Sequence, residues 1–470
     1  MKNGKQLKKA VRRLGVVGVT VTGLLFSFVY LPVKGTASEA YSERSNRVAS
    51  GQILLDTESP QLAPTELYSK AAVLMDARTG RVLYEKDGSE KLSNASTTKI
   101  MTCILVLEQE CDDQIVETSA YAGAQPKVHL GVRSGQQFLV KDLLYSLMLE
   151  SHNDAAVILA ESIGAKTLGL SDTAGERKVE ESKQAVAAFA KMMNEKALEI
   201  GCENTTFVTP NGLDAVQVME NEKGEETIVT HGTTATDLAK IMAYCVALSP
   251  KREEFLEITR TVDHSFSDIE GRGSYCCHNH NAFLGMMEGA LSGKTGFTNS
   301  AGYCYVGALQ REDRIYTIAL LACGWPNHKG WKWQDSRKLY NYGLENYAYR
   351  EFLPEVSVQP LVVSGGQALD GNPYHKVEVL PVLEEVDAME ILSGKGEYME
   401  AELESVDHLT APVEEGTQTG VVTYYFVTEQ GERIPWKSAS VHVQEKIARI
   451  DAGFVTTYVI EDFLLGQNRE

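Results

Sequence analysis

Basic side chains are scarce over most of this 470-residue sequence. Seven of the 45 Lys and Arg residues lie in the first 40 positions, together with only one of the 64 Asp and Glu residues. The rest of the chain therefore carries 38 basic and 63 acidic residues, a formal charge of −25. This balance excludes a chain held by nucleic acid phosphates. We interpret most of the charge as a soluble acidic surface.

The sequence also lacks a spaced set of metal ligands. Its eight cysteines are scattered, and several lie inside apolar runs such as Leu320–Cys323. The one dense group, Cys276-Cys277-His278-Asn279-His280, has no second half at the spacing of a zinc site. We therefore predict no metal and no cofactor, and we interpret most cysteines as buried free thiols.

Long apolar runs are absent except near the N-terminus. There, Leu14–Val33 follows six Lys or Arg residues between Lys2 and Arg13, and small residues follow over Thr36–Ala40. This is the three-part layout of an export signal. The run is also long enough to span a bilayer if it is not cleaved. We predict that residues 1–40 are a signal peptide or an N-terminal membrane anchor.

The remaining patterns change from mixed α and β to β alone. Residues 41–64 are predicted to be a spacer. A hairpin over 71–85 and an antiparallel meander over 303–321 enclose helical patterns, including two helices within 136–165 broken at Ser151–Asp154 and others over 186–200 and 236–248. A polar surface insertion is predicted over 166–185. Residues 65–350 thus read as an α+β unit whose termini meet in one antiparallel sheet, and 351–470 as a small all-β domain.

Ser96 and Lys99 lie three residues apart where a helical pattern begins, with Ile100, Ile104 and Leu107 at helical spacing. A hydroxyl and an amine at this spacing share a helix face. The start of a helix favours developing negative charge, and an amine with a lowered pKa can take the hydroxyl proton. The pair can equally be an ordinary helix start, because one or two such patterns are expected by chance.

Two further polar stretches accompany this pair. Ser151 and Asn153 lie in the break between two apolar helices, which is either a plain loop or a place from which both side chains reach a cleft. Lys294, Thr295 and Gly296 begin a strand, where glycine permits close approach of a ligand backbone, although an edge strand of no special role would look similar. Together, in this order and on these elements, the three stretches match the motif set of penicillin-binding proteins and class A β-lactamases.

Over residues 65–350 the sequence resembles the serine-type D-alanyl-D-alanine carboxypeptidases, the low-molecular-mass penicillin-binding proteins of peptidase family S11. The similarity extends to Ala77–Tyr84, Phe207–Leu213 and Lys294–Thr298 with Ala301–Tyr303. It implies a β-lactamase/DD-peptidase-like transpeptidase domain, an antiparallel sheet flanked by helices, followed by the β domain.

The resemblance implies a role for each site residue. Ser96 attacks the penultimate D-alanine carbonyl of a peptidoglycan stem pentapeptide, Lys99 takes its proton, and the backbone N–H groups of Ser96 and Phe297 form the oxyanion hole. Ser151 relays a proton and Asn153 positions the substrate. Lys294, Thr295 and Lys332 bind the terminal carboxylate region, with Lys332 where well-studied relatives have arginine. β-Lactams are expected inhibitors, and the enzyme is expected at the outer face of the cytoplasmic membrane or in the cell wall.

Three other readings compete. A serine β-lactamase shares the motifs, but the Glu-x-x-Leu-Asn pattern of fast deacylation is missing from this sequence. A non-catalytic penicillin-binding sensor or wall-binding module would not need all five polar motif residues. A Ser-His-Asp hydrolase is disfavoured because no Gly-x-Ser-x-Gly elbow is present.

Overall fold

The structure is a computed structural model that describes residues 44–49, 61–109, 113–171, 173–220 and 226–464. The predicted signal segment and Cys111 lie outside these ranges. In chain order the strands are β1 (Arg44–Ala49), β2 (Ala71–Asp76), β3 (Val82–Lys86), β4 (Ile115–Glu117), β5 (Gln137–Leu139), β6 (Val216–Glu220), β7 (Glu226–Thr230), β8 (Asp263–Ser267), β9 (Ser274–His278), β10 (Ala290–Thr298), β11 (Gly302–Arg311), β12 (Arg314–Leu321), β13 (Ala348–Phe352), β14 (Leu361–Ser364), β15 (Val377–Val379), β16 (Val382–Leu383), β17 (Met389–Ser393), β18 (Tyr398–Ser405), β19 (His408–Thr410), β20 (Gln418–Val427) and β21 (Arg433–His442).

The helices are α1 (Lys99–Glu108), α2 (Ala120–Gly123), α3 (Val140–Tyr145), α4 (Asn153–Leu168), α5 (Val179–Glu199), α6 (Ala235–Ala243), α7 (Arg252–Arg260), α8 (Trp331–Asn346) and α9 (Ala452–Val459). Short 3₁₀ or π-helical turns continue several of them. Within the described ranges, none of these helices has both the length and the apolar character needed to cross a membrane.

A five-stranded antiparallel sheet in the order β10-β11-β12-β2-β3 forms the centre of the first unit. Side chains alternate between the two faces of a strand, and both faces are buried here. On β12, Ile315, Ala319 and Leu321 join the large core that includes α1 and α4, whereas Ile318 and Leu320 join the core beneath α8. The sheet is thus covered by helices on both sides, as the α+β prediction requires.

The chain enters and leaves this sheet through neighbouring strands. The predicted hairpin is β2–β3, and the predicted meander is β10–β12. Because β2 pairs with β12, sequence-distant ends meet in one sheet, and this pairing is confirmed. The insertion predicted over 166–185 is wrong at both ends, since α4 continues to Leu168 and α5 starts at Val179 with its polar face outward.

The C-terminal region is built almost entirely of strands. Its largest sheet has the order β1-β18-β20-β21-β16 and packs over its own apolar core. Within the segment predicted as a spacer, β1 pairs antiparallel with β18. The predicted boundary at residue 350 lies inside β13, which pairs with β17 of the β region. Strand pairing therefore joins the β region both to the segment before the α+β unit, through β1, and to the end of that unit, through β13.

Candidate active site

The turn Ala95–Thr98 presents Ser96 at the entrance of α1. Ala95 has φ +48°, a left-handed conformation that is costly for a residue with a Cβ atom. Such strain persists only where the surroundings enforce it, and it concentrates at functional sites. Ser96 is half-buried, and its neighbours in the turn are buried.

Lys99 is completely buried, and its amine lies within hydrogen-bond distance of three oxygens. Nζ is 2.8 Å from Ser96 Oγ, 2.9 Å from Asn153 Oδ1 and 2.7 Å from the Asn211 carbonyl oxygen. Burial, reinforced by the nearby Lys294 ammonium, lowers the pKa of Lys99 well below its usual value, while Asp154 acts in the opposite direction. An amine in this environment is poised to be neutral.

The predicted break between two helices holds the second pair. A π-helical turn over Ser146–Glu150 ends at Ser151, which has φ +67°. The Ser151 hydroxyl is buried and has no hydrogen-bond partner among the described residues. Asn153 starts α4 and is fixed from both ends of its amide, since Nδ2 donates to the Pro126 carbonyl and Oδ1 faces Lys99. The structure thus brings Asn153 directly to the Ser96–Lys99 pair.

Strand β10 lies against the Ser96 turn, and glycine makes this possible. A Cβ atom on Gly296 would lie 3.0 Å from the Ser96 backbone nitrogen. Two residues earlier on this strand, Lys294 is buried, and its amine donates to the Thr295 carbonyl at 2.9 Å. Burial lowers the pKa of Lys294 to about 7. Phe297 follows with a partly exposed ring 4.7 Å from that of Tyr303.

The amine of Lys332 forms no described hydrogen bond with the other predicted site residues. Its amine donates to the Lys329 carbonyl at 2.5 Å and lies over the rings of Tyr303 and Trp333, at 4.8 and 4.5 Å. Burial lowers its pKa to about 8. Among the described residues, Tyr303 links Lys332 to the site, since its ring contacts Phe297.

Asn211 is a site residue that sequence reasoning missed. It lies in the irregular segment before β6, within Phe207–Leu213, for which the sequence predicts a family resemblance and no individual role. Its backbone carbonyl, and not its side chain, accepts from Lys99 and is also 3.5 Å from Ser96 Oγ. A backbone contact leaves no residue-type signal, so only the fold could reveal it.

Metal-binding geometry is not found in the described residues, where no group of three or more His, Cys, Asp or Glu side chains is arranged to hold an ion. None of the seven described cysteines forms a disulfide, and all but Cys276 are buried. The interpretation of most cysteines as buried free thiols is confirmed for this part of the chain.

Comparison with known proteins adds the decisive observation. A family model described as D-alanyl-D-alanine carboxypeptidase, peptidase S11, matches residues 57–169 and 180–322. The chain belongs to the peptidase S11 family. It is 27% identical over 397 residues to the D-alanyl-D-alanine carboxypeptidase DacF of Bacillus subtilis (strain 168), covering 83% of this chain and 87% of that protein.

Two further likenesses extend over the β region. The D-alanyl-D-alanine carboxypeptidase DacC of Escherichia coli (strain K12) is 26% identical over 416 residues, covering 84% of this chain and 91% of that protein. The crystal structure of DacD from Francisella tularensis superposes with a TM-score of 0.56 at 21% identity, covering 86% of this chain and 98% of that chain, and this likeness concerns the fold.

Family membership confirms the predicted resemblance, the fold class and the enzyme class. This S11 chain is a serine-type D-alanyl-D-alanine carboxypeptidase, a hydrolase of peptidoglycan metabolism in a family that binds β-lactams. Peptidoglycan lies outside the cytoplasmic membrane, so the place of action of a peptidase of this family is extracytoplasmic.

Proposed function

We propose that Ser96 is the nucleophile of this carboxypeptidase and that neutral Lys99 is its general base. The hydrogen-bond geometry of Lys99 carries this assignment. A neutral amine has two N–H donors and one lone pair. As an ammonium, Lys99 can donate to all three oxygens. Once Lys99 is neutral, the Asn153 side-chain oxygen and the Asn211 carbonyl oxygen can accept its two remaining N–H groups, which leaves the lone pair to face the Ser96 hydroxyl proton across 2.8 Å. Lys99 can therefore take this proton as Oγ attacks a carbonyl carbon.

The substrate is a peptidoglycan stem pentapeptide ending in D-alanyl-D-alanine. Attack of Ser96 on the penultimate carbonyl forms the Oγ–C bond and moves an electron pair to the carbonyl oxygen. The backbone N–H groups of Ser96 and Phe297 stabilise that oxyanion, and the approach of Gly296 to the Ser96 nitrogen supports this placement. When the C–N bond breaks, the terminal D-alanine leaves with a proton delivered from Lys99, with Ser151 as the relay.

Three side chains hold the substrate end. The cationic form of Lys294 attracts the terminal carboxylate and Thr295 offers it a hydroxyl, while Lys332 contributes positive charge from beneath Tyr303. The unpaired, buried Ser151 hydroxyl supports its role as a relay, because a bound substrate would supply the missing partner. Asn153 positions both the substrate and Lys99. Water then hydrolyses the Ser96 ester, which releases the shortened peptide and restores the hydroxyl.

Intact-mass measurement with benzylpenicillin tests this assignment. We expect a slowly decaying adduct on the wild type, no adduct on Ser96→Ala, and a normal adduct on the matched control Ser93→Ala. Release of D-alanine from a synthetic peptide ending in D-alanyl-D-alanine should follow the same pattern. Rapid loss of the adduct would favour a β-lactamase, and a folded wild type without an adduct would favour a binding module.

Residues 1–40 are proposed to direct export and, if retained, to hold the enzyme at the outer face of the cytoplasmic membrane. The three-part layout of this segment supports the proposal. The N-terminal residue of protein isolated from cells distinguishes cleavage near Ala40 from retention. Recovery of the full-length chain in the cytoplasmic fraction, with its N-terminus intact, would contradict export.

A further inference from the structure

His231 is a buried histidine directly behind the Ser96 turn. It follows β7 and exposes only 2% of its surface. Its Nδ1 accepts hydrogen bonds from the backbone N–H groups of Val208 and Thr209, at 3.1 and 3.3 Å. A nitrogen that accepts cannot carry the ring proton, so the proton of the neutral ring lies on Nε2. Burial lowers the pKa of His231 to about 4, with Lys91 adding to the effect and Asp214 opposing it, so the ring is neutral near neutral pH.

The Nε2–H group of His231 faces the hydroxyl of Thr98. The distance from Nε2 to Thr98 Oγ1 is 2.9 Å. The same oxygen accepts from the amide of Asn94 at 2.9 Å and donates its own hydrogen to the Ala95 carbonyl at 2.9 Å. The hydroxyl therefore has all its hydrogen bonds made, and its direction is fixed. Its single donor is aimed at Ala95, the strained residue that precedes Ser96.

The other side of His231 holds the turn that supplies Asn211. Val208 and Thr209, whose N–H groups bind Nδ1, lie only a few residues before the Asn211 carbonyl that accepts from Lys99. One neutral imidazole thus connects the Ser96 turn with the acceptor of the Lys99 amine. These are the two parts whose separation sets the Ser96–Lys99–Asn211 geometry.

We propose that His231 is a positioning residue for acylation, which holds the Ser96 turn and the Asn211 carbonyl at the separation that the reaction needs. The inference rests on the proposed assignment of Ser96 as nucleophile. His231 touches neither Ser96 nor Lys99 in a described hydrogen bond, so it acts through Thr98 and the backbone of 208–209. An alternative role is purely structural, as a buried ring packed near Phe207 at a centroid distance of 5.9 Å.

Two near-isosteric replacements separate the two sides of the ring. His231→Asn retains an acceptor near the Nδ1 position and loses the donor to Thr98, whereas His231→Gln places an amide N–H near the Nε2 position. Because each replacement breaks one side of this link, we expect the acylation rate constant for benzylpenicillin at saturation to fall by about 10- to 100-fold in both His231→Asn and His231→Gln. The concentration for half-maximal rate should change little, because the substrate contacts are intact.

Thr98→Val removes the same contact from the other partner, and therefore tests the inference even if a histidine variant folds poorly. Thr98→Val also loses the hydrogen bonds with Asn94 and Ala95, so we expect its acylation rate constant to fall at least as far as in His231→Asn. Adding His231→Asn to Thr98→Val should slow acylation no further. Rates are compared only for protein with the near-ultraviolet circular dichroism of the wild type.

Several results would overturn the inference. They are a wild-type rate constant in folded His231→Asn, His231→Gln or Thr98→Val, or additive losses in the double variant. If the wild type forms the Ser96 adduct and His231→Asn acylates at the wild-type rate, the role of His231 is refuted and the proposed nucleophile stands. A wild type that forms no Ser96 adduct would refute the proposed nucleophile as well.

Discussion

The amine of Lys99 lies 2.8 Å from the hydroxyl oxygen of Ser96, and among the described residues no carboxylate pairs with it. A buried lysine without a hydrogen-bonded carboxylate is costly to protonate, so burial favours the neutral base although Asp154 acts in the opposite direction. The fold adds Lys294, whose positive charge further disfavours a second ammonium. The low-dielectric surroundings of Ser96 and Lys99 thus lower the stability of the fold, and they also make the pair reactive.

Replacing the base should slow acylation strongly and spare binding. Lys99→Met conserves most of the buried volume and removes the lone pair, so we expect the acylation rate constant to fall by about 10²- to 10⁴-fold. Lys99→Arg should not restore it, because a guanidinium stays protonated. Stopped-flow measurement with benzylpenicillin gives the rate constant and the half-saturating concentration separately. Acylation of Lys99→Met within tenfold of the wild type would show that another group takes the proton.

Lys294 should destabilise the folded protein in a pH-dependent way. Its pKa of about 7 in the folded state lies below the 10.5 of a free lysine side chain, so the unfolded state binds more protons between these values. Stability therefore rises with pH through this window, and the full cost of burial is present below pH 7. We expect the free energy of unfolding of Lys294→Met to exceed that of the wild type by about 2–5 kcal/mol at pH 6. This difference should shrink towards pH 10.

Urea unfolding at pH 6 and pH 9 measures this difference. The matched control is Lys437→Met, at an exposed position on β21, which should change stability little at either pH. Lys294→Met should also slow acylation, since it removes the charge proposed to attract the carboxylate. A stability gain of equal size at both pH values would show that apolar packing, and not the pKa of Lys294, is responsible.

The sequence was sufficient to predict side-chain chemistry that is local along the chain. Ser96 and Lys99 are three residues apart, and helical periodicity after them fixes their shared face. The two ends of the sheet could be predicted because each carries period-two patterns and turn residues. Strand β1 and helix α8 were missed, the first because an edge strand needs its partner β18, the second because its apolar positions are mixed with charged ones.

Long-range placement could not be read from the sequence. Asn211 contributes a backbone oxygen, which any residue at that position would supply. The position of Lys332 depends on how α8 packs against Tyr303, over a separation that no local pattern specifies. The role proposed for His231 depends on which ring nitrogen meets the 208–209 backbone. Each is set by packing between elements distant in sequence.

The β region is tied to the catalytic unit by a nearly buried ion pair. Both terminal nitrogens of Arg81 donate to Glu397 Oε2, at 3.1 and 3.0 Å, and the guanidinium lies 4.7 Å from the ring centroid of Phe426. Removing one partner leaves the other charge uncompensated, so we expect Arg81→Met to lower the free energy of unfolding by about 2–4 kcal/mol. Urea unfolding followed by fluorescence and by circular dichroism should then give separated transitions.

The ion-pair experiment has two controls. Arg81→Met combined with Glu397→Gln removes both charges and should recover part of the stability, because Gln retains an acceptor for the Gly394 N–H group. Lys376→Met breaks an exposed pair with Glu378 and should cost less than about 1 kcal/mol. Acylation of Ser96 should be normal in the double variant. A loss in Arg81→Met no larger than that in Lys376→Met would show that the pair does not couple the units.

Gly212 should be required for acylation because it lies against the turn that carries Ser96. Its φ is +81°, and a Cβ atom would lie 1.9 Å from the Ala95 carbonyl oxygen and 2.9 Å from Thr98 Oγ1, so Gly212→Ala must displace this turn. We expect the acylation rate constant to fall by more than about 10²-fold, since small displacements of a nucleophile are costly.

Gly201→Ala is the matched control for Gly212→Ala, because the φ of Gly201 is +82° and a Cβ atom there meets open space. It should cost about 1–2 kcal/mol of stability from the left-handed backbone alone and acylate normally. Backbone strain would explain equal losses of acylation in both variants, whereas a loss confined to Gly212→Ala assigns the effect to contact with the Ser96 turn.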